Sequence, residues 1–144
     1  MATSLGSVEA VASELRVVLG QLVRRLRAEH SHRFSLAQGA VLGRLDREGA
    51  RSTSDLAASE RVRPQSMAQT VCELEAEGLI SRRPDPADRR RALLELTPEG
   101  QTTLQIDRAQ REGWLIKVLS ESYTPEEQDA LARAVPLLAR LAEL

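Results

Sequence analysis

A chain whose apolar residues recur almost everywhere at spacings of three and four is broken once, by RRPDPADRRRALLELTPEG from Arg82 to Gly100. That break constrains the fold more than any other feature. LISRR (Leu79 to Arg83) and ALLEL (Ala92 to Leu96) read as two short strands. PDPADRR is the tip between them, where prolines are tolerated because no ladder hydrogen bond is needed. Five arginines fall between Arg82 and Arg91, against two aspartates, Asp85 and Asp88. The sequence asks whether so much positive charge on one tip is a reading surface or a solvated turn.

Helices surround the hairpin. Val8, Val11, Leu15, Val18, Leu19, Leu22 and Leu26 form the stripe of an amphipathic helix from about Val8 to His30. Ser35 caps a second helix, which carries Leu36, Val41, Leu42 and Leu45 and ends near Gly49. Ser52 or Thr53 caps a short third helix with Leu56 and Ala57 facing inward. Arg61-Val62-Arg63 turns into a fourth helix, opened by Pro64 and stopped by Gly78, whose buried stripe is Met67, Val71 and Leu74. Thr97-Pro98-Glu99 starts a helix carrying Leu104, Ile106, Trp114, Leu115, Val118 and Leu119. Thr124-Pro125-Glu126-Glu127 starts the last, with Glu127 completing a capping box and Leu131, Val135, Leu138 and Leu141 in a stripe. Pro136 predicts a kink or a break inside it.

The fold class expected is mainly α with a small β-hairpin wing, in one domain of 144 residues. A winged helix-turn-helix lobe spans 35–97, flanked by N- and C-terminal dimerisation helices over 8–34 and 98–144. The flanking stripes are longer than a three-helix lobe can cover, so they are expected to bury each other across a two-fold axis.

Composition narrows the function. An apolar share of 42% supports a core. No apolar run approaches the roughly 20 residues of a membrane span, and the N-terminus lacks the pattern of a secretory signal. The single cysteine, Cys72, excludes an intrachain disulfide and fits a reducing cytoplasm. The net charge of −1 hides a polarity, since five basic residues face eight acids from Pro98 to Leu144. A local positive surface on an acidic remainder selects one face for an anionic partner. No Ser/His/Asp set, glycine-rich phosphate loop or paired-carboxylate motif stands out, so neither an enzyme nor a cofactor is expected. His30 and His32 are spaced i, i+2, which suits two metal ligands poorly, and no metal is expected. Cys72, beside Val71, reads as a small semi-buried packing residue.

The stretch from about Ser35 to Gly100 resembles the MarR family of bacterial transcriptional regulators. TSDLAASERVRPQSMAQTVCELEAEGLISR, DPADRRRALLELT and LTPEG carry the likeness, and the order D-x-R … L-T-x-x-G behind LEAEGLI is its most specific part. The resemblance implies a homodimer presenting one helix to the major groove and one wing to the minor groove of double-stranded DNA. It also implies a repressor on a pseudo-palindromic operator, released by a small aromatic or phenolic effector. The matching acid, Asp88, is then expected to brace Arg90.

Elementary physics supports the same residues. Gln65, Ser66, Gln69 and Thr70 lie toward the N-terminal half of the fourth helix, where side chains reach base edges and amides favour a phosphate. Arg63 is placed to reach the DNA backbone. Arg90 suits a narrow, negative minor groove, with Arg89 and Arg91 meeting phosphates. The alternatives are an ordinary polar helix face and a solvated turn. His30, Phe34 and Trp114 are candidate effector-lining residues, with core packing as the alternative. Two rival functions stay open: a constitutive DNA binder without effector, and a winged-helix protein-interaction module.

Overall fold

The computed structural model describes residues 6–29 and 33–144. The elements run α1 (Val8–Ala28), α2 (Leu36–Glu48), α3 (Thr53–Glu60), α4 (Pro64–Ala76), β1 (Ile80–Pro84), β2 (Ala92–Leu96), α5 (Pro98–Ser122) and α6 (Pro125–Glu143). They form two compact units, Ser31–Arg108 and Met1–His30 with Ala109–Leu144.

Every helix but α4 begins where a side chain satisfies an orphan amide. Ser35 and Gln38 form a reciprocal capping box on α2, and Thr124 and Glu127 form another on α6. Ser52, rather than Thr53, caps α3 by accepting the Asp55 amide at 3.1 Å. Gly49 (φ 81°) ends α2 and Gly78 (φ 74°) follows α4. The turn between α3 and α4 is different: Arg61 holds the left-handed conformation there at φ 54°.

In the Ser31–Arg108 unit, the apolar stripes of α2, α3 and α4 meet the hairpin. Phe34, Leu42, Leu56, Leu74, Leu79 and Leu94 are fully buried, each stabilising the fold by roughly 1.5–3 kcal/mol relative to exposure. Leu36 departs from expectation. It lies in the first turn of α2 and stays 59% exposed. The hairpin is antiparallel, with Ile80 opposite Leu96, Arg82 opposite Leu94 and Pro84 opposite Ala92. The connection before α3 adds a bridge that the sequence did not announce. Arg51 donates its amide to the Leu94 carbonyl at 3.0 Å and accepts the Leu94 amide at 2.7 Å. This unit continues into α5, where Leu104 is buried and Arg108 Nη1 meets Asp46 Oδ2 at 2.6 Å.

In the other unit, neither α1 nor α6 has a buried residue among those described. Val11, Val18, Leu22, Leu131, Val135 and Leu141 are all exposed. The Arg25 guanidinium lies 5.7 Å from the centre of the Trp114 ring. Gln128 Nε2 donates to the carbonyls of Leu119 and Tyr123, tying the end of α5 to the start of α6. Of the kink or break expected at Pro136, the break does not occur. α6 runs through it to Glu143, because losing one amide donor leaves the other bonds of a long helix in place.

Candidate nucleic-acid interface

The helix α4 turns Met67, Val71 and Leu74 into the core, and this fixes the rest of its surface. Gln65, Ser66 and Gln69 are exposed and Thr70 is half-buried. The N-cap Arg63 is exposed and makes no side-chain capping bond, and Pro64 supplies no amide. The remaining first-turn amides of α4 are therefore available to an anion. Thr70 Oγ1 donates to the Ser66 carbonyl at 3.2 Å. Gln69 Nε2 donates to Glu73 Oε1 at 3.4 Å, while Glu73 Oε2 accepts Gln38 Nε2 at 2.9 Å. Glu73, which sequence reasoning missed, thus links Gln69 to α2. Its only signal was its position four residues after Gln69.

Cys72 is exposed, not semi-buried. One residue along a helix is a rotation of 100°, so a neighbour of the buried Val71 need not share its environment.

On the wing, a groove of about 350 Å³ is lined by Arg82, Arg83, Pro84, Arg89, Arg90, Arg91 and Ala92. Its arginines are not equivalent. Arg82 Nη2 meets Glu75 Oε1 at 2.7 Å, a hydrogen bond that raises its pKa above the ordinary guanidinium value. Arg83 Nε meets Glu95 Oε2 at 3.2 Å. Arg91 Nη2 bonds Asp55 Oδ2 at 2.7 Å and also the Ser52 hydroxyl. Arg89 and Arg90 have no side-chain hydrogen bond or ion pair among the described residues and are exposed. The expectation that Arg89 and Arg91 meet phosphates, on either side of a groove-seeking Arg90, thus meets a chain in which Arg91 is already paired.

The tip is shaped by its acids. Asp85 Oδ1 accepts the Ala87 amide at 2.9 Å, and Asp88 Oδ1 accepts the Arg90 amide at 3.0 Å. The brace expected between Asp88 and Arg90 runs to the Arg90 backbone amide. A carboxylate two residues ahead closes readily on the amide as an Asx turn. Asp85 and Asp88 thus leave the Arg90 side chain unneutralised. Asp55 is held below the usual carboxylate range, first by the Ser52 hydroxyl and then by Arg91.

Of the proposed effector residues, Phe34 is buried in the core with 2% exposure. Trp114 is half-buried beside Arg25, and His30 lies outside the described residues. Among the described residues no cluster of His, Cys, Asp or Glu could hold a metal, and no helix is long and apolar enough to cross a membrane.

A family model described as MarR family matches residues 34–92. An uncharacterized HTH-type transcriptional regulator of Mycobacterium leprae is 38% identical over 85 residues, covering 58% of this chain. The match spans only 59% of that relative's own length. A crystal structure from Pseudomonas aeruginosa PA01, of a protein assigned as a transcriptional regulator, has 38% identity and a TM-score of 0.77 over 94% of each chain. BpsR of Bordetella bronchiseptica, whose DNA binding is regulated by 6-hydroxynicotinic acid, shares the fold. It has 24% identity and a TM-score of 0.69, over 90% of this chain and 98% of its own.

Proposed function

The chain belongs to the MarR family, and from that premise we propose that it is a sequence-specific, double-stranded-DNA-binding transcriptional regulator of the cytoplasm. The observation that carries this reading is that Arg89 and Arg90 have no side-chain partner among the described residues. Three other arginines of the wing are taken by carboxylates, while two at its tip are left for a partner. In this reading α4 enters the major groove, with Gln65, Ser66, Gln69 and Thr70 facing bases and phosphates and Arg63 on the backbone. Arg89 and Arg90 take the minor groove and its phosphates, and Asp88 holds the tip in shape.

The exposed apolar faces of α1 and α6 support a homodimer, with a second copy covering Val11, Val18, Leu22, Val135 and Leu141. A two-fold protein then matches a pseudo-palindromic operator. We further propose that it represses, and that a small aromatic acid or phenol releases it. BpsR, whose DNA binding is regulated by 6-hydroxynicotinic acid, supports an effector of this kind, and Trp114 with Arg25 is the candidate contact in this chain.

Selection of a duplex from a random pool, followed by a salt series, tests the core of this reading. Affinity should fall on a double-logarithmic plot with a slope near −0.9 per neutralised phosphate. Salt-independent binding, or none, would leave the protein-interaction module as the better reading.

A further inference from the structure

We propose that Arg91 is a positioning residue rather than a DNA contact: it latches the wing to the first turn of α3 through Ser52 and Asp55. The proposal rests on the DNA-binding reading above and deepens it.

The backbone of Arg91 closes the tip. Its carbonyl accepts the Asp85 amide at 3.1 Å and its amide donates to the Asp88 carbonyl at 3.0 Å. Its side chain is committed elsewhere, with Nη2 held by Asp55 Oδ2 at 2.7 Å and by the Ser52 hydroxyl. Ser52 is 3% exposed, and the same hydroxyl that meets Arg91 also caps α3 on the Asp55 amide. Hydroxyl, carboxylate and helix terminus thus form one knot.

A second attachment lies beside it. Arg51, one residue before Ser52, exchanges both backbone hydrogen bonds with Leu94. The wing is therefore held at its root by Arg51 and at its neck by Arg91. A single attachment would leave a hinge, whereas two fix an orientation. The orientation matters because Arg89 and Arg90 follow from it, and because α3 leads through the Arg61 turn into α4. One short segment, Arg51 to Asp55, thereby sets the wing's register against the reading helix.

The pair is not built for fold stability. Arg91 and Asp55 side chains are 41% and 45% exposed, and such pairs contribute little to folding. Its value lies in preorganisation, which removes ordering cost when DNA binds. The depressed Asp55 carboxyl keeps the latch charged at neutral pH. If Arg91 were instead a phosphate contact, Asp55 would compete with DNA for it, and removing Asp55 would strengthen binding.

That opposition of sign is the test. Arg91→Ala, Asp55→Ala and the double variant are titrated against two duplexes, one selected by the wild-type protein from a random pool and one scrambled. Each single change should weaken the selected duplex about tenfold, with the double variant no weaker than about tenfold because both break one device. The scrambled duplex should change less than about twofold, and the salt slope should match the wild type. Amide exchange from Ala87 to Arg91 should quicken in each variant, a readout that needs no DNA. Asp55→Asn serves if Asp55→Ala disturbs α3. It removes the charge while keeping an acceptor and should give an intermediate loss. Tighter binding by either Asp55 variant overturns the proposal. So does a salt slope reduced by about one unit in Arg91→Ala with both duplexes weakened equally. Additive losses in the double variant do the same. A wild-type protein that selects no duplex is a separate result: it refutes the DNA-binding reading, and the latch's role in DNA reading goes with it.

Discussion

A Cβ built on Gly100 would lie 2.0 Å from the carbonyl oxygen of Leu79. The same carbonyl accepts the Thr97 amide at 3.0 Å, and the Thr97 hydroxyl joins the Gly78 carbonyl to the Gly100 amide. The first turn of α5 is thus pressed against the start of the wing by backbone, which cannot rotate away as a side chain would. Gly100→Ala should therefore cost about 1–3 kcal/mol in urea unfolding. Gly113→Ala, in the same helix with nothing within 4 Å of the added carbon, should instead gain up to about 1 kcal/mol. Equal effects at the two sites would argue against this seating of α5.

Asp88 separates a shaped tip from a charged patch. Asp88→Ala removes the acceptor of the Arg90 amide and should weaken binding to a selected duplex although it deletes a negative charge. Asp88→Asn keeps an acceptor oxygen and should bind at least as well as the wild type. If both variants bind more tightly, repulsion rather than turn geometry governs the position.

Arg90→Ala should cost about 1–3 kcal/mol of DNA affinity and relax sequence preference at the flanks of the site. Arg83→Ala should cost less, since that guanidinium is already paired with Glu95. Titration of both variants against the selected duplex, with circular dichroism to confirm folding, ranks them. The opposite order would place the reading head at the base of the wing.

Acid should loosen the fold mainly through Asp46, with Asp55 adding little because its pair with Arg91 is exposed. Asp46 is held below the usual carboxylate range by Arg108 first and Gln101 second, Asp55 by Ser52 first and then Arg91. A folded pKa depressed below the unfolded value, about 3.9 for Asp, gives stability that is present above that value and lost as pH falls through the folded one. The urea midpoint should hold from neutral pH to roughly pH 5 and decline below about pH 4. Asp46→Asn should start lower and decline less. A midpoint that rises on acidification would contradict the sign.

Sedimentation should find a dimer at micromolar concentration. Val135→Asp, at a position 62% exposed in the single chain, should shift the population to monomer and weaken binding to a two-fold site. A wild-type monomer that binds the duplex as tightly would remove the second copy from the proposal.

Local chemistry was legible in the sequence. Ser35, Ser52, Pro64, Thr124 and Glu127 announced helix starts because capping depends on residues three or four positions apart. The Met67, Val71 and Leu74 stripe announced the buried face of α4 because helical periodicity survives without knowledge of its neighbours. The D-x-R … L-T-x-x-G pattern pointed to the fold, and the structure supplies reasons for its parts. Asp88 closes the tip on a backbone amide, and Gly100 admits the Leu79 carbonyl.

Long-range pairings were not legible. Arg82, Arg83, Arg89, Arg90 and Arg91 look alike in the sequence, and which are free depends on Glu75, Glu95 and Asp55. Arg91 meets a partner 36 residues away, and Arg51 pairs with Leu94 across about two thirds of the lobe. Nothing local encodes either contact, because each exists only once α3 and the hairpin have packed on a common core. The sequence by itself determined which segments become helix, strand and turn. The tertiary structure decided which of five similar guanidiniums remain available, since charge neutralisation is a property of distance in space, not of position along the chain.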